Sequence, residues 1–438
     1  MSHPTYWNVL DQISNCRWTV HKLAHLEDVR DAIRHFWPEG HPTRFIQVAG
    51  TNGKGTVCRF LEACFSTVGT VGTLTSPHLF DYRERFTVNG QPVSAQDVTD
   101  AWENQILPFC IEATRRGKDS LVSYPLIYIL MSLVFFEKFH VEWGIMETGL
   151  GGRYDQVTAL DVEAVVLTNV GNDHTHILGA NTWQRVLDKS GICRKGRPFF
   201  TADEKEENRN IMREICNASA APFFYVGASE VAEFSGLLTA IPAGGRFTVQ
   251  HNLRNGALSL AVAQYLLHQE NKPLDVHAAC QRMDRVEFAG RFYKIEPQIY
   301  IDIAHNADKI SALVDHIKAD QTVNKKRKIL LLGLSRQRDP IEVLAPILAV
   351  ANSIIVTSTP NEGVAPDEIV RALSALAHEG IKIQAIAEPK DALAEARREL
   401  DENSVIIATG STFMIDQLFN PDDPIRELNR LGDWRSAR

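Results

Sequence analysis

Cysteine is sparse: the 438-residue sequence has seven, at positions 16, 58, 64, 110, 193, 216 and 280, and none stands in a Cys-x-x-Cys pair. Their odd number and scatter argue against a disulfide framework, and the missing short pairs argue against a structural zinc site. Such usage fits a reducing compartment, so a cytoplasmic localisation is expected. Long apolar runs are missing too. The longest, Leu126 to Phe136, falls well short of the about 20 residues a membrane-spanning helix needs. No basic-then-apolar leader opens the chain, so no membrane insertion is expected. Positive charge is in deficit, with 46 Lys and Arg against 54 Asp and Glu and a formal net charge of −8. A nucleic acid or an anionic membrane is therefore not an expected partner. The one basic run, Lys325-Lys326-Arg327-Lys328, precedes an apolar strand and is expected to be a solvated turn. Repeats and low-complexity tracts are absent, and the length suits two or three domains.

Among what is there, the segment Phe45-Ile46-Gln47-Val48-Ala49-Gly50-Thr51-Asn52-Gly53-Lys54-Gly55-Thr56 is the most informative. It is an apolar strand running into a glycine-rich turn, a lysine and a hydroxyl residue, at the head of a helix. That order builds a phosphate cradle. Glycines let backbone amides approach phosphate oxygens, and the helix N-terminus favours negative charge. Lys54 reaches the terminal phosphates and Thr56 can hold Mg²⁺. Gly50, Thr51, Asn52, Gly53, Lys54, Gly55 and Thr56 are thus candidate nucleotide contacts. A turn made only for packing is the competing reading.

From Phe45 to about Gly227 strand-like and helix-like stretches alternate, as in a parallel sheet covered by helices. Strands are expected at Phe45–Val48, Gly72–Thr75, Trp143–Glu147, Val162–Asn169, Pro198–Thr201 and Phe223–Val226, with helices at Gly55–Ser66 and Leu126–Phe139. Residues near 230 to 250 read as short β pieces with glycine turns, and a helix follows from about Leu253 to His268. A second alternating series has strands at Ile299–Ile303, Ile329–Gly333, Ser353–Thr357, Ile381–Ala385 and Val405–Ala408. The fold class expected is α/β, a P-loop-type parallel-sheet ATPase domain followed by a smaller doubly wound, Rossmann-like domain. The boundary is expected at Tyr293–Gln298, giving domains 1–295 and 296–438.

Open parallel sheets gather ligands at their strand ends. Glu147-Thr148-Gly149-Leu150-Gly151-Gly152-Arg153 follows one strand, Gly171-Asn172-Asp173-His174-Thr175-His176 a second, and Ser76-Pro77-His78 a third. Mg²⁺ takes one or two carboxylates with hydroxyl, water and phosphate oxygens, so Glu147 with Thr56 makes a sensible metal site. Glu147 alone could equally cap a helix or pair with Arg153. His174 with His176 could equally suggest a transition metal.

The ordered set Ala49–Thr56, Thr75-Ser76-Pro77-His78-Leu79, Glu84-Arg85, Gly149–Arg153, Asp173-His174-Thr175, Lys189-Ser190-Gly191-Ile192, Gly290-Arg291-Phe292, Asp302-Ile303-Ala304-His305-Asn306 and Gly410-Ser411 resembles the folylpolyglutamate synthase and dihydrofolate synthase family of the Mur ligase superfamily. The resemblance runs from about Arg44 to Leu418. It implies an ATP- and Mg²⁺-dependent amide ligase that phosphorylates a carboxylate and lets an amino acid's amine attack the acyl phosphate. It further implies a first metal site at Thr56, Ser76 and Glu147 and a second at His174 and Lys189, that lysine being commonly carbamylated. Asn255, Arg291, Asp302 and His305 are implied as nucleotide contacts; Lys54, Lys189 and His305 are implied as catalytic. Ser76, Pro77, His78, Arg85 and Arg153 are implied around the acid substrate. The partners implied are a small-molecule acid, most simply dihydropteroate, folate or a folate-like acid, and an amino acid, most simply glutamate. A monomer is expected from the family.

Four segments depart from the family's pattern. Tyr154-Asp155-Gln156-Val157-Thr158 replaces Leu-Asp-Ala-Thr-Asn, Ile303 and Ala307 stand in the usual Asp-Gly-Ala-His-Asn-Pro, Arg338-Asp339 replaces Lys-Asp, and Ser190 replaces alanine. They leave open a ligase of this family acting on a non-folate acid. A P-loop kinase or nucleotide-driven switch is the alternative from another class.

Overall fold

The computed structural model describes residues 4–16, 26–239, 246–335, 338–360 and 363–420. The chain divides into two compact units. The described residues of one lie within Met1–Gly244 and His251–Val286, those of the other within Gly245–Gln250 and Glu287–Glu427.

The first unit is built on eight strands: β1 (Arg44–Ala49), β2 (Val71–Leu74), β3 (Phe86–Val88), β4 (Gln91–Pro92), β5 (Trp143–Glu147), β6 (Ala164–Leu167), β7 (Phe199–Thr201) and β8 (Phe223–Tyr225). Their order is β4-β3-β2-β5-β1-β6-β7-β8. β2, β5, β1, β6, β7 and β8 are parallel, while β3 and β4 add an antiparallel hairpin at one edge. β1 is central, paired to β5 on one side and β6 on the other, so its last residues open between two neighbours. Both faces of the centre are covered, which is why β1, β5 and β6 read as unbroken apolar runs. The helix Tyr124–Lys138 is apolar nearly all round and twelve of its residues are buried, as its composition requires.

The second unit carries β9 (Tyr293–Glu296), β10 (Ile299–Ile301), β11 (Arg327–Leu332), β12 (Ser353–Val356), β13 (Lys382–Ala385) and β14 (Ser404–Thr409), ordered β13-β12-β11-β14-β10-β9. Only β9 runs antiparallel. Its core is aliphatic, with Leu330, Leu332, Ile354, Val356, Val405 and Ile407 packed on Ile310, Ile317 and Ile369. β11 and β14 meet closely at their ends: a Cβ on Gly410, itself at φ +100°, would lie 2.2 Å from the Gly333 carbonyl oxygen. Each unit is α/β.

Two expectations need correction. Residues near 230 are not β pieces, since Ala228–Leu238 is a helix. Glu230 accepts a hydrogen bond from the Gly227 amide at 2.8 Å and Val231 and Phe234 bury one face, so capping and i,i+3 spacing outweigh the Phe and Gly content. Arg246–Thr248 is a 3₁₀ turn, and 240–245 lie outside the described residues. Nor is the basic run a solvated turn throughout. Arg327 and Lys328 already belong to β11, where Lys328 is nearly buried with its Nζ donating to the Asn324 carbonyl at 2.7 Å. The helix expected from Leu253 extends over Gln250–Gln269. No helix among the described residues is long and apolar enough to cross a membrane.

Candidate active site

β1 delivers its chain into the turn at Gly50–Gly53, and the helix Lys54–Phe65 starts at once. Gly53 caps that helix at φ +81°, a left-handed conformation glycine adopts without strain, and among the described residues no side chain caps the first amides. Those amides remain available to an anion. Gly50, at φ +147°, lies so close to β6 that a Cβ there would stand 1.9 Å from Thr168 Oγ1. The turn is pinned from β6's end. The Thr51 amide donates to the Asn169 carbonyl at 2.9 Å, the Asn52 amide to Asn169 Oδ1 at 3.1 Å, and Thr168 Oγ1 to the Asn52 carbonyl at 2.6 Å. The Gly171 amide donates to Thr51 Oγ1 at 2.9 Å. Asn255, buried on Gln250–Gln269, packs beneath: a Cβ on Gly53 would be 2.9 Å from its Oδ1.

Two ammonium groups converge on this turn. Lys54 Nζ donates to the Gly50 carbonyl at 3.1 Å and Lys189 Nζ donates to the same oxygen at 3.3 Å. Lys189 is buried at the end of the helix Thr182–Ser190. Burial and then the nearby Lys54 charge bring it down to about 7, against the pull of Asp188, Asp173 and Asp155. Beside it are two buried oxygens with no hydrogen-bond partner, Asp188 Oδ1 and Ser190 Oγ.

Glu147 ends β5 and is 5 % exposed. Its Oε2 accepts from the Ser76 amide at 2.8 Å and lies 3.5 Å from where a Cβ on Gly55 would stand, so the carboxylate faces the start of the helix that carries Thr56. Arg153 is exposed and stacks over Tyr154 at 5.1 Å. Among the described residues no group of three His, Cys, Asp or Glu could hold a metal. A transition-metal cage at His174 and His176, whose rings are 6.3 Å apart, therefore lacks a third such ligand. What remains is a carboxylate, hydroxyls and an anion cradle, a donor set that suits a hard cation shared with phosphate oxygens. His174 caps the turn Thr175–Leu178 at φ +51°, and its amide donates to Asp173 Oδ1 at 2.9 Å.

The loop after Arg153 is held by Asp155. Oδ2 accepts from the Gly149 and Leu150 amides at 3.0 and 3.1 Å, and Oδ1 from Val157 at 3.0 Å. Burial raises this carboxyl to about 6 in spite of those amides. Thr158 Oγ1 donates to the Gly152 carbonyl at 2.7 Å.

His78 and Arg85 form a separate polar knot. Pro77 follows Ser76 through a cis peptide. Arg85 is 5 % exposed, its Nε donates to His78 Nδ1 at 2.8 Å, and its guanidinium lies 5.1 to 5.8 Å from the ring centres of Tyr128, Tyr124 and Tyr82. Burial, with help from the Arg85 charge, lowers His78 to about 3.

In the second unit Asp302 follows β10. Its Oδ1 accepts from the Ala304 amide and its Oδ2 from the Phe292 amide, both at 2.8 Å, while burial raises its pKa against the Arg291 charge. His305 Nδ1 lies 2.8 Å from the Ile303 carbonyl, which can only accept, so Nδ1 carries the proton. Nε2 accepts from Lys309 Nζ at 3.1 Å.

Gly50, Thr51, Asn52, Gly53, Lys54, Asn255 and Lys189 thus gather at one turn, with Glu147 and Ser76 meeting beside Gly55. His78 and Arg85 hold each other, and Arg153 is exposed. Sequence reasoning missed Thr168 and Asn169, which hold the turn, and Asp155, which holds the glycine loop.

Residues 282–412 match the Mur ligase, glutamate ligase domain family. The chain is 27 % identical over 406 residues to the dihydrofolate synthase/folylpolyglutamate synthase of Bacillus subtilis, covering 86 % of this chain and 91 % of that one. Its fold matches Mycobacterium tuberculosis folylpolyglutamate synthase complexed with ADP, with TM-score 0.79, 20 % identity and coverage of 97 % and 98 % of the two chains. It also matches the bifunctional folylpolyglutamate synthase/dihydrofolate synthase of Yersinia pestis complexed with AMPPNP and Mn ion, with TM-score 0.75, 23 % identity and coverage of 94 % and 96 %. Taken together, the chain is similar along nearly its whole length to folylpolyglutamate synthases and dihydrofolate synthases, and its residues 282–412 match the Mur ligase, glutamate ligase domain.

Proposed function

We propose that the chain is an ATP- and Mg²⁺-dependent ligase that joins an amino acid, L-glutamate, to a carboxylate of dihydropteroate, folate or a folate-like acid through an acyl phosphate. The observation that carries this reading is the meeting of Lys54 and Lys189 at the Gly50 carbonyl, under helix amides no side chain caps. The Lys54 charge and a second amine held together at a glycine turn suit an anion of high charge density.

The chemistry follows from the groups present. A carboxylate is a poor electrophile because its oxygen leaves badly; phosphoryl transfer to it creates an anhydride whose phosphate leaves well when an amine attacks the carbonyl carbon. Gly50–Thr56 would cradle the phosphates and Lys54 would meet the negative charge of the transferring group. Thr56, Ser76 and Glu147 would hold one Mg²⁺, and His174 with Lys189 a second. When bound, Mg²⁺ neutralises phosphate charge. Lys189, with an amine basicity brought to about 7, is partly neutral at physiological pH, which is the form that takes up carbon dioxide to become a carbamate ligand. Asn255 would meet the nucleotide in the first unit. In the second unit, Arg291, Asp302 and His305 are proposed as nucleotide contacts. Ser76, Pro77, His78, Arg85 and Arg153 would shape the acid site. Arg85 serves through its hold on His78, and Arg153 has its guanidinium free of the fold's interior to meet a carboxylate. The first unit would act as the ATPase domain and the second, from Glu287, as the ligase domain of a monomer.

Purified protein with ATP, Mg²⁺, dihydropteroate or a folate and glutamate should release ADP and phosphate only when acid and amine are both present, and mass spectrometry should find the amide. ATP consumption without amine, leaving phosphate on the acid, would make it a kinase. Amide formed only on a different acid would move the substrate and keep the chemistry.

A further inference from the structure

We propose that Cys193 and Cys216 form a redox modification site, a thiol pair that closes to an intramolecular disulfide when it meets a peroxide. Nothing in the proposed ligase chemistry uses either residue. The two Sγ atoms are 3.9 Å apart although the residues are separated by 23 positions in sequence. Closing to a bond of about 2.05 Å needs side-chain rotation of roughly 2 Å in all. The backbones are already tied side by side. Three residues beyond each cysteine, the Gly196 amide donates to the Ser219 carbonyl at 3.2 Å, and the Phe199 amide donates to the Pro222 carbonyl at 2.8 Å as β7 and β8 begin to pair.

The two cysteines are placed for different parts. Cys193 is partly exposed in the turn after the helix Thr182–Ser190, open to an oxidant from solvent. Cys216 is fully buried on the helix Glu206–Ala218 and meets that oxidant only through its neighbour. The electrostatics agree. Cys193 is held down to about 7, first by the hydrogen bond from Cys216, then by Ser219 and the Arg194 charge. The other five differ: burial pushes Cys58 and Cys64 well up, Cys110 to about 12, and Cys16 and Cys280 to about 11. Cys193 is therefore the reactive thiolate of the chain.

The steps balance. The Cys193 thiolate attacks one oxygen of hydrogen peroxide, the O–O bond breaks, and the departing hydroxide takes a proton to become water, leaving Cys193 as a sulfenic acid. The Cys216 sulfur then displaces that hydroxyl, an S–S bond forms, and a second water leaves with the Cys216 proton; the two thiols have lost two electrons to the peroxide. The turn that carries Cys193 lies against the candidate active site. The Cys193 amide donates to the Ser190 carbonyl at 2.9 Å, one residue from Lys189, and Arg194 reaches Gln47 Oε1 in β1 at 3.2 Å.

The full chain, reduced and then freed of reductant, is titrated with hydrogen peroxide, alkylated and digested for mass spectrometry. A peptide pair joined through Cys193 and Cys216 should accumulate before any other cysteine oxidises, and a dithiol should reverse it. In Cys216→Ser, Cys193 should stop at a sulfenic acid that dimedone traps. In native wild-type protein at pH 7, Cys193 should alkylate at least tenfold faster than any other cysteine. If Cys193 in wild type passes to the sulfonic acid while Cys216 stays a free thiol, or if both remain alkylatable after other cysteines have reacted, the site does not exist. The wild-type mapping decides the matter even if a substituted chain folds poorly, and it reads no ligase activity.

Discussion

Two ammonium groups share the Gly50 carbonyl, and they are not equivalent. Lys54 opens a helix beside the uncapped amides, so Lys54→Ala removes the charge proposed to meet the phosphate. Turnover should drop roughly a thousandfold, as for loss of one group that stabilises a transferring phosphoryl, while circular dichroism stays unchanged. Near-normal ADP release would mean that the phosphate lies elsewhere. Ser190 offers a prediction of opposite sign. Its hydroxyl is buried without a partner, and such a group costs about 1 to 3 kcal/mol. Ser190→Ala should therefore raise the urea midpoint, gaining about 1 kcal/mol; a loss of stability would show that the hydroxyl is satisfied. His78 gives a pH test. Its folded pKa, about 3, lies below the ordinary 6.5, so the unfolded chain binds more protons between those values. Stability from this residue is complete above about 6.5 and falls as pH drops toward 3, by up to about 1.4 kcal/mol per pH unit. Unfolding free energies at pH 7, 6 and 5 should fall more steeply for wild type than for His78→Asn; parallel slopes would remove His78 from the account.

The turn at the end of β1 works as an element because its backbone has no room for a side chain. Gly50→Ala would force a Cβ onto Thr168 Oγ1 at 1.9 Å in a backbone region that L-residues avoid. Binding of an ATP analogue, read by calorimetry, should be lost, whereas Gly236→Ala, on an open face with nothing within 4 Å, should bind normally. The difference between the two alanines isolates geometry from composition. This turn, with β1, β5 and the alternating strands of the second unit, was legible because apolar runs and glycine spacing are local. The partners that hold it were not. Thr168 and Asn169 act on Thr51 and Asn52 across more than a hundred residues, and no periodicity marks such a bond. Asp155 was hidden in the same way, its sequence neighbourhood departing from the family while its carboxylate gathers three amides. The hairpin of β3 and β4 escaped because its two strands hold three and two residues, too few for alternation to register. The helix Ala228–Leu238 was misread from its Phe and Gly content, although the Glu three residues after Gly227 was a capping signal in plain view.

At the scale of the molecule, each compact unit has its own sheet and its own covering helices. The second unit's aliphatic core closes on itself, so a fragment from Glu287 to Glu427 should fold alone and unfold cooperatively in urea, followed by circular dichroism. A fragment that stays unfolded would show that residues 245–250 or the first unit are needed. The paired lysines have a practical consequence as well. A preparation kept in a buffer of large organic ions leaves the glycine turn and its two lysines without an anion, whereas millimolar inorganic phosphate or sulfate can sit against them. Because occupancy of the native state alone adds RT ln(1 + [L]/Kd), the choice of salt should decide how long this protein keeps on the bench.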